Sequence, residues 1–355
     1  MILKSECYFG NVPEKFKMEL VELYESPFCT IEYNKTFWDE NRLNCFSICD
    51  NNTLVHLILF TIDQHNKIVN ILNRLFELDI KYIKLFSDFI FSLKLQIDKI
   101  QINHLTNPTL PKQIFPLKFV CKPYDEDYII KLPSSNTEYF SSLSYHMRNH
   151  TQNYISKIER TFGGYSFQFY EKSDIPESVI DKIFEMSYLR ISHKNVKWGY
   201  DTSYIESLKD YLKHCGFVSV LKINGEIVAG LIMYSIKNNF FFETTSSKPE
   251  YDRNNVGHTC FYLSIMSCIE HNGKEIHLLW GNSPYKQRFL AKRKQLYSVT
   301  VFRTPLIKLK SKIYQDLLPV LSPNYIYKLL KGEVRKILGQ RAINGLRNLM
   351  VNKKI

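Results

Sequence analysis

The sequence lacks the apolar segments that mark secreted and membrane-spanning proteins. Positions 1–13 are charged and polar where a signal peptide requires an apolar stretch. The longest apolar run, Leu54–Ile62, is interrupted by His56 and is much shorter than the roughly 20 residues that cross a bilayer. With 45% apolar and 14% aromatic residues, the chain can still bury a sizeable core. We expect a soluble protein of the cytoplasm.

No Cys-x-x-Cys pair occurs among the eight cysteines, which are scattered along the chain. Cys45 and Cys49 are close in sequence, but no second ligand pair lies near them, as a structural zinc site would require. His146 and His150 have a metal-ligand spacing on a predicted helix, yet the accompanying Glu and a third ligand are missing. We therefore expect reduced, buried thiols and no metal.

Acidic residues are scarce in the C-terminal tail. From Arg303 to Ile355 there are 12 Lys and Arg but only 2 Asp and Glu, a net of +10 out of a total of +12. The preceding 302 residues are nearly neutral, which disfavours a uniformly basic nucleic-acid binder, and no nucleic acid is expected as a partner. Apolar residues between the basic ones predict amphipathic helices. These helices could contact an anionic membrane surface or a polyanionic ligand, but we favour packing on the body of the protein with a solvated basic face.

A length of 355 residues favours two structural units, and the middle of the chain has the clearest pattern. Helical spacing of apolar residues alternates with strand-like segments there. The predicted elements are a helix over 139–162, a strand over 165–170, a helix over 178–191 after Pro176, and a helix that Asp201 or Thr202 caps and Gly216 ends.

A run of β-structure follows. The Asn224-Gly225 turn predicts a hairpin between residues 217–223 and 227–236, because Asn-Gly is the strongest short hairpin signal. A strand at 240–245, a helix that starts near Gly257 and a strand at 275–280 then predict a parallel pair at the centre of a sheet. A short helix and a last strand at 296–302 complete this region.

The first 130 residues are less regular. A hairpin is predicted between residues 45–48 and 53–62, followed by a helix at 67–78 and a strand at 82–86. Five prolines lie between Asn107 and Pro133, and this span reads as a connector between the halves.

Three motifs carry a resemblance to a known family. They are Ser142-Leu143-Ser144 with Arg148, Tyr251-Asp252 through Gly257, and Gly281 followed by Tyr285-Lys286. Residues 139–303 resemble a GNAT-type acyltransferase domain, of a subgroup found in bacterial polysaccharide clusters and often built as tandem halves. The implied fold class is α/β, with tandem GNAT-like mixed sheets flanked by helices. The implied domains are a degenerate half (1–130), an acyltransferase domain (131–305) and a basic helical tail (306–355).

The resemblance implies acyl-CoA as co-substrate. A helix N-terminus at residues 256–259 offers free backbone N–H groups and a positive dipole end to a diphosphate, and Gly257 lets the backbone approach closely. The chain departs from the usual Gln/Arg-x-x-Gly-x-Gly/Ala pattern, because Arg253 lies one residue too far from Gly257 and Thr259 replaces the second small residue. The cofactor-binding set is Thr244, Thr245, Ser246, Arg253, Asn255, Val256, Gly257, His258, Thr259, Asn282, Lys286 and Arg288.

Two residues are expected to move protons. Glu243 is the only carboxylate in the apolar run of its strand and could deprotonate an incoming ammonium, unless it simply faces solvent. Tyr285 stands where GNAT enzymes often keep a tyrosine that protonates the leaving thiolate, and backbone N–H groups of residues 240–245 would stabilise the oxyanion. Arg148, Trp198 and Tyr200 are acceptor-binding candidates, with plain helix charge and loop packing as the alternatives.

The resulting functional hypothesis is an acyl-CoA-dependent N-acyltransferase that works by direct attack in a ternary complex. The resemblance implies as acceptor a nucleotide-linked amino sugar, of the dTDP-3-amino-3,6-dideoxyhexose type, made for O-antigen or capsule. A Fem-type aminoacyltransferase that uses aminoacyl-tRNA for peptidoglycan is the alternative, which would suit the basic tail. A regulatory or membrane-associated protein built on a GNAT scaffold is a third hypothesis.

Overall fold

A computed structural model describes residues 3–106, 118–192, 198–281, 284–309 and 311. Residues 3–106 and 120–301, where described, cluster into one unit. Residues 118–119 and 302–311 belong to a second unit, in which the Phe302 amide donates a 2.8 Å hydrogen bond to the Lys118 carbonyl. The predicted helical tail lies outside the described residues from 312 onward.

The strands of the first half and the middle of the chain are β1 Leu3–Tyr8, β2 Asn44–Asp50, β3 Thr53–Asp63, β4 Ile68–Ile71, β5 Lys99–Leu105 and β6 Phe119–Lys131. Those of the second half are β7 Ser166–Glu171, β8 Gly216–Ile223, β9 Glu226–Ile236, β10 Asn239–Ser247, β11 Glu275–His277 and β12 Lys292–Phe302. The helices are α1 Phe16–Tyr24, α2 Ile31–Phe37, α3 Ile80–Ser92, α4 Asn136–Ser142, α5 Tyr145–Phe162, α6 Glu177–Ser192, α7 Thr202–Cys215, α8 Val256–Glu270 and α9 Pro284–Arg288.

The strands of the described residues form one mixed sheet, in the order β1-β2-β3-β4-β5-β12-β6-β11-β10-β9-β8-β7. Each half follows the same path. Four strands pair antiparallel in sequence order, a helix crosses over, and a fifth strand pairs parallel with the fourth. The predicted central parallel pair is therefore confirmed as β10 and β11, joined by α8.

Several local predictions are confirmed and three are wrong. The Asn224-Gly225 hairpin forms, with both residues at positive φ. The helix predicted at 67–78 is wrong, because residues 68–71 instead pair with β3 and β5. The strand predicted at 82–86 lies inside α3, whose buried face is too regular for a strand. The connector predicted at 107–133 is wrong for residues 119–131, which form the strand β6.

Helix boundaries follow from their capping residues. Asp201 accepts the backbone N–H of Tyr204 at 2.8 Å and begins α7, as predicted. The single helix predicted at 139–162 is divided into α4 and α5, because Leu143 is extended and Ser144 caps α5 through the Met147 N–H. Gly163 ends α5 at a φ of 77°.

The core lies on both faces of the sheet around β10. Phe240 and Phe242 pack with α8 on one face, whereas Phe241 packs with α6 and α7 on the other. This alternation is that of a strand buried on both sides. Among the described residues, no helix is both long and apolar enough to cross a membrane.

Candidate active site

The central strand pair separates just where polar residues begin. β11 pairs with β10 only from Asn239↔Glu275 to Phe241↔His277. On the other side, the register between β10 and β9 shifts between Phe242 and Thr244, so that Glu243 is the extra residue of a β-bulge. Because a bulge leaves its extra residue outside the regular ladder, the backbone at Glu243 is available to a ligand. From Glu243 onward, the edge of β10 that faces β11 is therefore no longer covered by a paired strand, and we call this gap the notch.

The first cleft, of about 370 Å³, lies between the end of β10 and the start of α8. Asn255 takes up a left-handed conformation, with φ of 56°, and no side chain caps the helix. The first-turn N–H groups of α8 are thus free to bind an anion. Ser246 lines the same cleft at 3% exposure, and its Oγ has no hydrogen-bond partner in the described structure. A buried, unpartnered hydroxyl beside an uncapped helix indicates a ligand site.

Close packing at this helix start depends on glycine. A Cβ at Gly257 would lie 3.0 Å from Ser247 Oγ, at the limit of side-chain contact. Arg190, which the sequence analysis missed, donates from Nη1 to Ser247 Oγ at 2.9 Å and to Asp252 Oδ1 at 3.0 Å. The side chain of Arg190 is 40% exposed and lines the cleft. Its only sequence signal was a basic residue in the last turn of α6.

Tyr285 lines the same cleft from the opposite element, α9. Its ring packs edge-on against Phe261 of α8, with the centroids 5.5 Å apart, and the residue remains 41% exposed. Partial burial raises the pKa of the phenol above its usual value, so that the hydroxyl is protonated at neutral pH. Tyr285 and Gly257 therefore line the same cleft, although their separation along the chain is large.

His258 and Thr259 are less accessible than the prediction assumed. The His258 ring lines the cleft, but its Nε2 is 3.1 Å from Thr151 Oγ1, and burial lowers its pKa to about 4. His258 is therefore neutral at pH 7 and adds no positive charge to the cleft. Thr259 is fully buried, and its Oγ1 has no partner among the described residues.

The role predicted for Lys286 needs correction. The side chain is 4% exposed, and Nζ donates to the carbonyls of four successive residues, Leu278, Leu279, Trp280 and Gly281, at 2.8–3.0 Å. Burial lowers the pKa of Lys286, and the nearby carboxylate of Asp127 opposes that shift. Because its donors are all occupied, Lys286 fastens the turn after β11 rather than reaching a phosphate of CoA.

Glu243 is neither solvent-facing nor free. Its two carboxylate oxygens accept hydrogen bonds from the phenols of Tyr204, at 2.7 Å, and Tyr234, at 2.9 Å. Burial and the charge of Glu243 raise the pKa of Tyr204, so that this phenol stays a donor. Tyr200, a predicted acceptor residue, packs on Tyr204 and hydrogen-bonds Thr244 Oγ1 at 3.0 Å. The aromatic residues around the bulge thus orient a single carboxylate.

Glu243 also lines a second cleft, of about 380 Å³. Six of its twelve lining residues are aromatic, and both halves of the chain contribute them, including Phe37 and Trp38 from the first half and Tyr204 and Trp280 from the second. Since neighbouring residues of a strand are about 3.3 Å apart, Glu243 of the second cleft lies within about 7 Å of Thr245, which lines the first. The two clefts therefore approach each other along β10, near the bulge.

Other predicted residues lie outside both clefts. Arg253 and Arg288 are exposed and line neither cleft, and Asn282 lies outside the described residues. Arg148 does not face a ligand, because its Nη1 caps α4 through the carbonyls of Ser141 and Leu143. Trp198 packs on Phe184, Tyr188 and Tyr200. Among the described residues, no cluster of three His, Cys, Asp or Glu could hold a metal ion.

Comparison with known proteins agrees with this geometry. Residues 146–287 match the sequence family described as acetyltransferase (GNAT) domain. That range contains β10, α8 and Tyr285, and so both sides of the first cleft. A search of curated protein sequences finds no significant match.

Solved structures extend the similarity of fold beyond that range. The FemX structure shares 9% identity and a TM-score of 0.63, covering 86% of this chain and 99% of FemX. The L-PGS structure from Bacillus licheniformis shares 12% identity and a TM-score of 0.52, covering 86% of this chain and 98% of that one. The C-terminal domain (DUF2156) of a putative lysylphosphatidylglycerol synthetase from Agrobacterium fabrum shares 12% identity and a TM-score of 0.53, covering 84% of this chain and 95% of that one. The predicted fold class is confirmed: a mixed α/β fold with a GNAT domain in its C-terminal region.

Proposed function

We propose that the protein is an acyl-CoA-dependent N-acyltransferase whose acyl donor binds in the first cleft. The observation that carries this proposal is the uncapped N-terminus of α8 beside the buried, unpartnered Ser246 hydroxyl, with Gly257 leaving room for a close approach. Backbone N–H groups at a helix start suit a diphosphate, and Arg190 supplies a cation in the same cleft.

The chemistry follows from the notch at the bulge. In this proposal a thioester enters where β11 stops pairing with β10, and backbone N–H groups of β10 near Glu243 stabilise negative charge as it develops on the carbonyl oxygen. Glu243 accepts the proton that the acceptor ammonium must lose before its nitrogen attacks the carbonyl carbon. The carbon–sulfur bond then breaks, and Tyr285 donates its proton to the leaving thiolate. The second proton that the nitrogen loses as the amide forms returns to the Tyr285 phenolate, directly or through solvent. A thiol of pKa about 8.5 needs little acid assistance.

The acceptor amine enters from the second cleft in this proposal, because that cleft contains Glu243. Its aromatic walls suit a ring-shaped acceptor, since aromatic faces stack against sugar and base rings. We propose a nucleotide-linked amino-deoxy sugar as the acceptor class, which the resemblance to polysaccharide-cluster acyltransferases favours.

A thermal-shift screen followed by a thiol-release assay tests the proposal. We expect acetyl-CoA or longer acyl-CoAs to raise the melting temperature, because a ligand that binds only the folded state stabilises it by mass action. Amino sugars linked to dTDP or UDP should then release free CoA, whereas the corresponding hydroxyl sugars should not.

Aminoacyl-tRNA belongs in the same screen, because FemX shares the fold. Stabilisation by charged tRNA but by no acyl-CoA would reject the proposal. Such binding should weaken steeply with salt, as contacts to phosphates do.

A further inference from the structure

Arg74 is the unused cation of the second cleft. It lies just after β4, on the half of the chain that does not contain the GNAT sequence match, and its side chain is half-buried. The guanidinium stands 5.8 Å from the centre of the Phe28 ring. Within the described part of the chain, it makes no hydrogen bond or ion pair.

The acidic residues of the second cleft do not neutralise Arg74. Asp201 is occupied in capping α7, accepting from the Tyr204 amide and the Ser203 hydroxyl. Glu243 accepts the two phenols of Tyr204 and Tyr234. Among the described residues the half-buried guanidinium faces the Phe28 ring but has no anionic partner, so an anionic ligand would gain much of its binding energy there.

Tyr33 shows that Arg74 and Glu243 act on the same small region. Burial raises the pKa of the Tyr33 phenol, the charge of Glu243 raises it further, and the charge of Arg74 opposes both. The cleft therefore contains one anion suited to an ammonium, one free cation suited to an anion, and aromatic rings in the lining around them.

We propose that Arg74 selects an acceptor that is a ring-bearing amine with a separate anionic group, phosphoryl or carboxylate. The guanidinium binds the anionic group through paired N–H donors, while the amine lies against Glu243. This inference rests on the proposed function, which places the acceptor amine against Glu243. It adds that substrate selection depends on a residue outside the range of the acetyltransferase match.

The test compares charged and uncharged amino sugars by calorimetric titration of the whole protein saturated with CoA, which fills the first cleft. Glucosamine 6-phosphate and muramic acid provide the phosphoryl and carboxylate groups, and glucosamine is the uncharged match. The proteins are the wild type, Arg74→Gln, Arg74→Lys and the control Arg42→Gln, whose side chain is 77% exposed and pairs with Asp39 outside the cleft.

We expect at least one charged sugar to bind wild-type protein about tenfold or more tightly than glucosamine, since a charge-assisted bidentate contact typically contributes that much. Arg74→Gln should abolish this difference, Arg74→Lys should reduce it, and Arg42→Gln should keep it. Whichever charged sugar binds more tightly shows whether Arg74 prefers a phosphoryl group or a carboxylate.

The inference is overturned if Arg74→Gln retains the preference, or if wild-type protein binds charged and uncharged sugars equally. Circular dichroism and melting curves verify that the variants are folded. A protein that fails to bind CoA but keeps an Arg74-dependent charge preference would refute the proposed acyl-CoA function and leave this inference standing.

Discussion

Replacing Lys286 with methionine tests the assignment of this residue to the turn after β11. Methionine has a similar length and no charge, so the change removes the donors that hold the carbonyls of residues 278–281. Two of these four hydrogen bonds are fully buried. Because Lys286 as a whole is only 4% exposed, water cannot easily take the place of its ammonium group.

The magnitude can be estimated from the buried groups. Each buried carbonyl left without a donor costs about 1–3 kcal/mol, and the two buried ones therefore cost about 2–6 kcal/mol. Removing a buried ammonium returns part of this, because its desolvation no longer opposes folding. A net loss of about 1–4 kcal/mol remains. At about 2.1 cal/mol/K per residue, a chain of 355 residues has an unfolding entropy of about 0.75 kcal/mol/K, so the melting temperature should fall by roughly 1–5 °C.

Differential scanning calorimetry measures this loss, with Lys292→Met as the matched control because Lys292 is exposed on β12. The acyl-transfer rate should also fall, since the same turn leads to Tyr285 and the first cleft. A variant with wild-type melting temperature but poor binding of CoA would refute the assignment. That result would restore the original prediction that Lys286 contacts the phosphates.

Three further substitutions test the proposed reaction. Gly257→Val should weaken CoA binding about tenfold or more in calorimetric titration and also lower the melting temperature, because its side chain intrudes beside the buried Ser247; unchanged affinity in the folded variant would move the donor site elsewhere. Glu243→Gln should lower kcat by about 10²–10⁴-fold at pH 7. The deficit relative to wild type should be smaller at high pH, where the amine is already neutral, and a rate equal to wild type at pH 7 would remove Glu243 as the base. Tyr285→Phe should lower kcat by a smaller factor that shrinks for aryl thioesters with better leaving groups; an identical deficit for both thioesters would argue against proton donation.

The sequence predicted the C-terminal half of the sheet well because its signals there are local. Asn224-Gly225 specifies a tight turn whatever surrounds it, and Asp201 caps α7 through the residues that directly follow. The first half was harder. Residues 68–71 pair with strands on both sides, and the pattern of their apolar residues alone fits a helix equally well.

The candidate site divides in the same way. Gly257 and Tyr285 were predicted from motifs and Ser246 as part of the cofactor-binding set, and all three line the first cleft. Arg190 and Arg74 were not found, since each reaches its cleft from a distant segment and no local pattern distinguishes it from other arginines. The buried position of Lys286 was also hidden, because a basic residue after a strand reads as solvated until its neighbours are known.

The sequence alone therefore determined the class of fold, the central strand–helix–strand unit and the turn that leads to Tyr285, all of which depend on neighbours along the chain. Only the tertiary structure decided which polar groups are left without partners. Hydrogen bonding and burial are satisfied across distant segments. That Ser246 Oγ has no hydrogen-bond partner and Arg74 no anionic partner among the described residues therefore becomes evident only once the sheet is assembled.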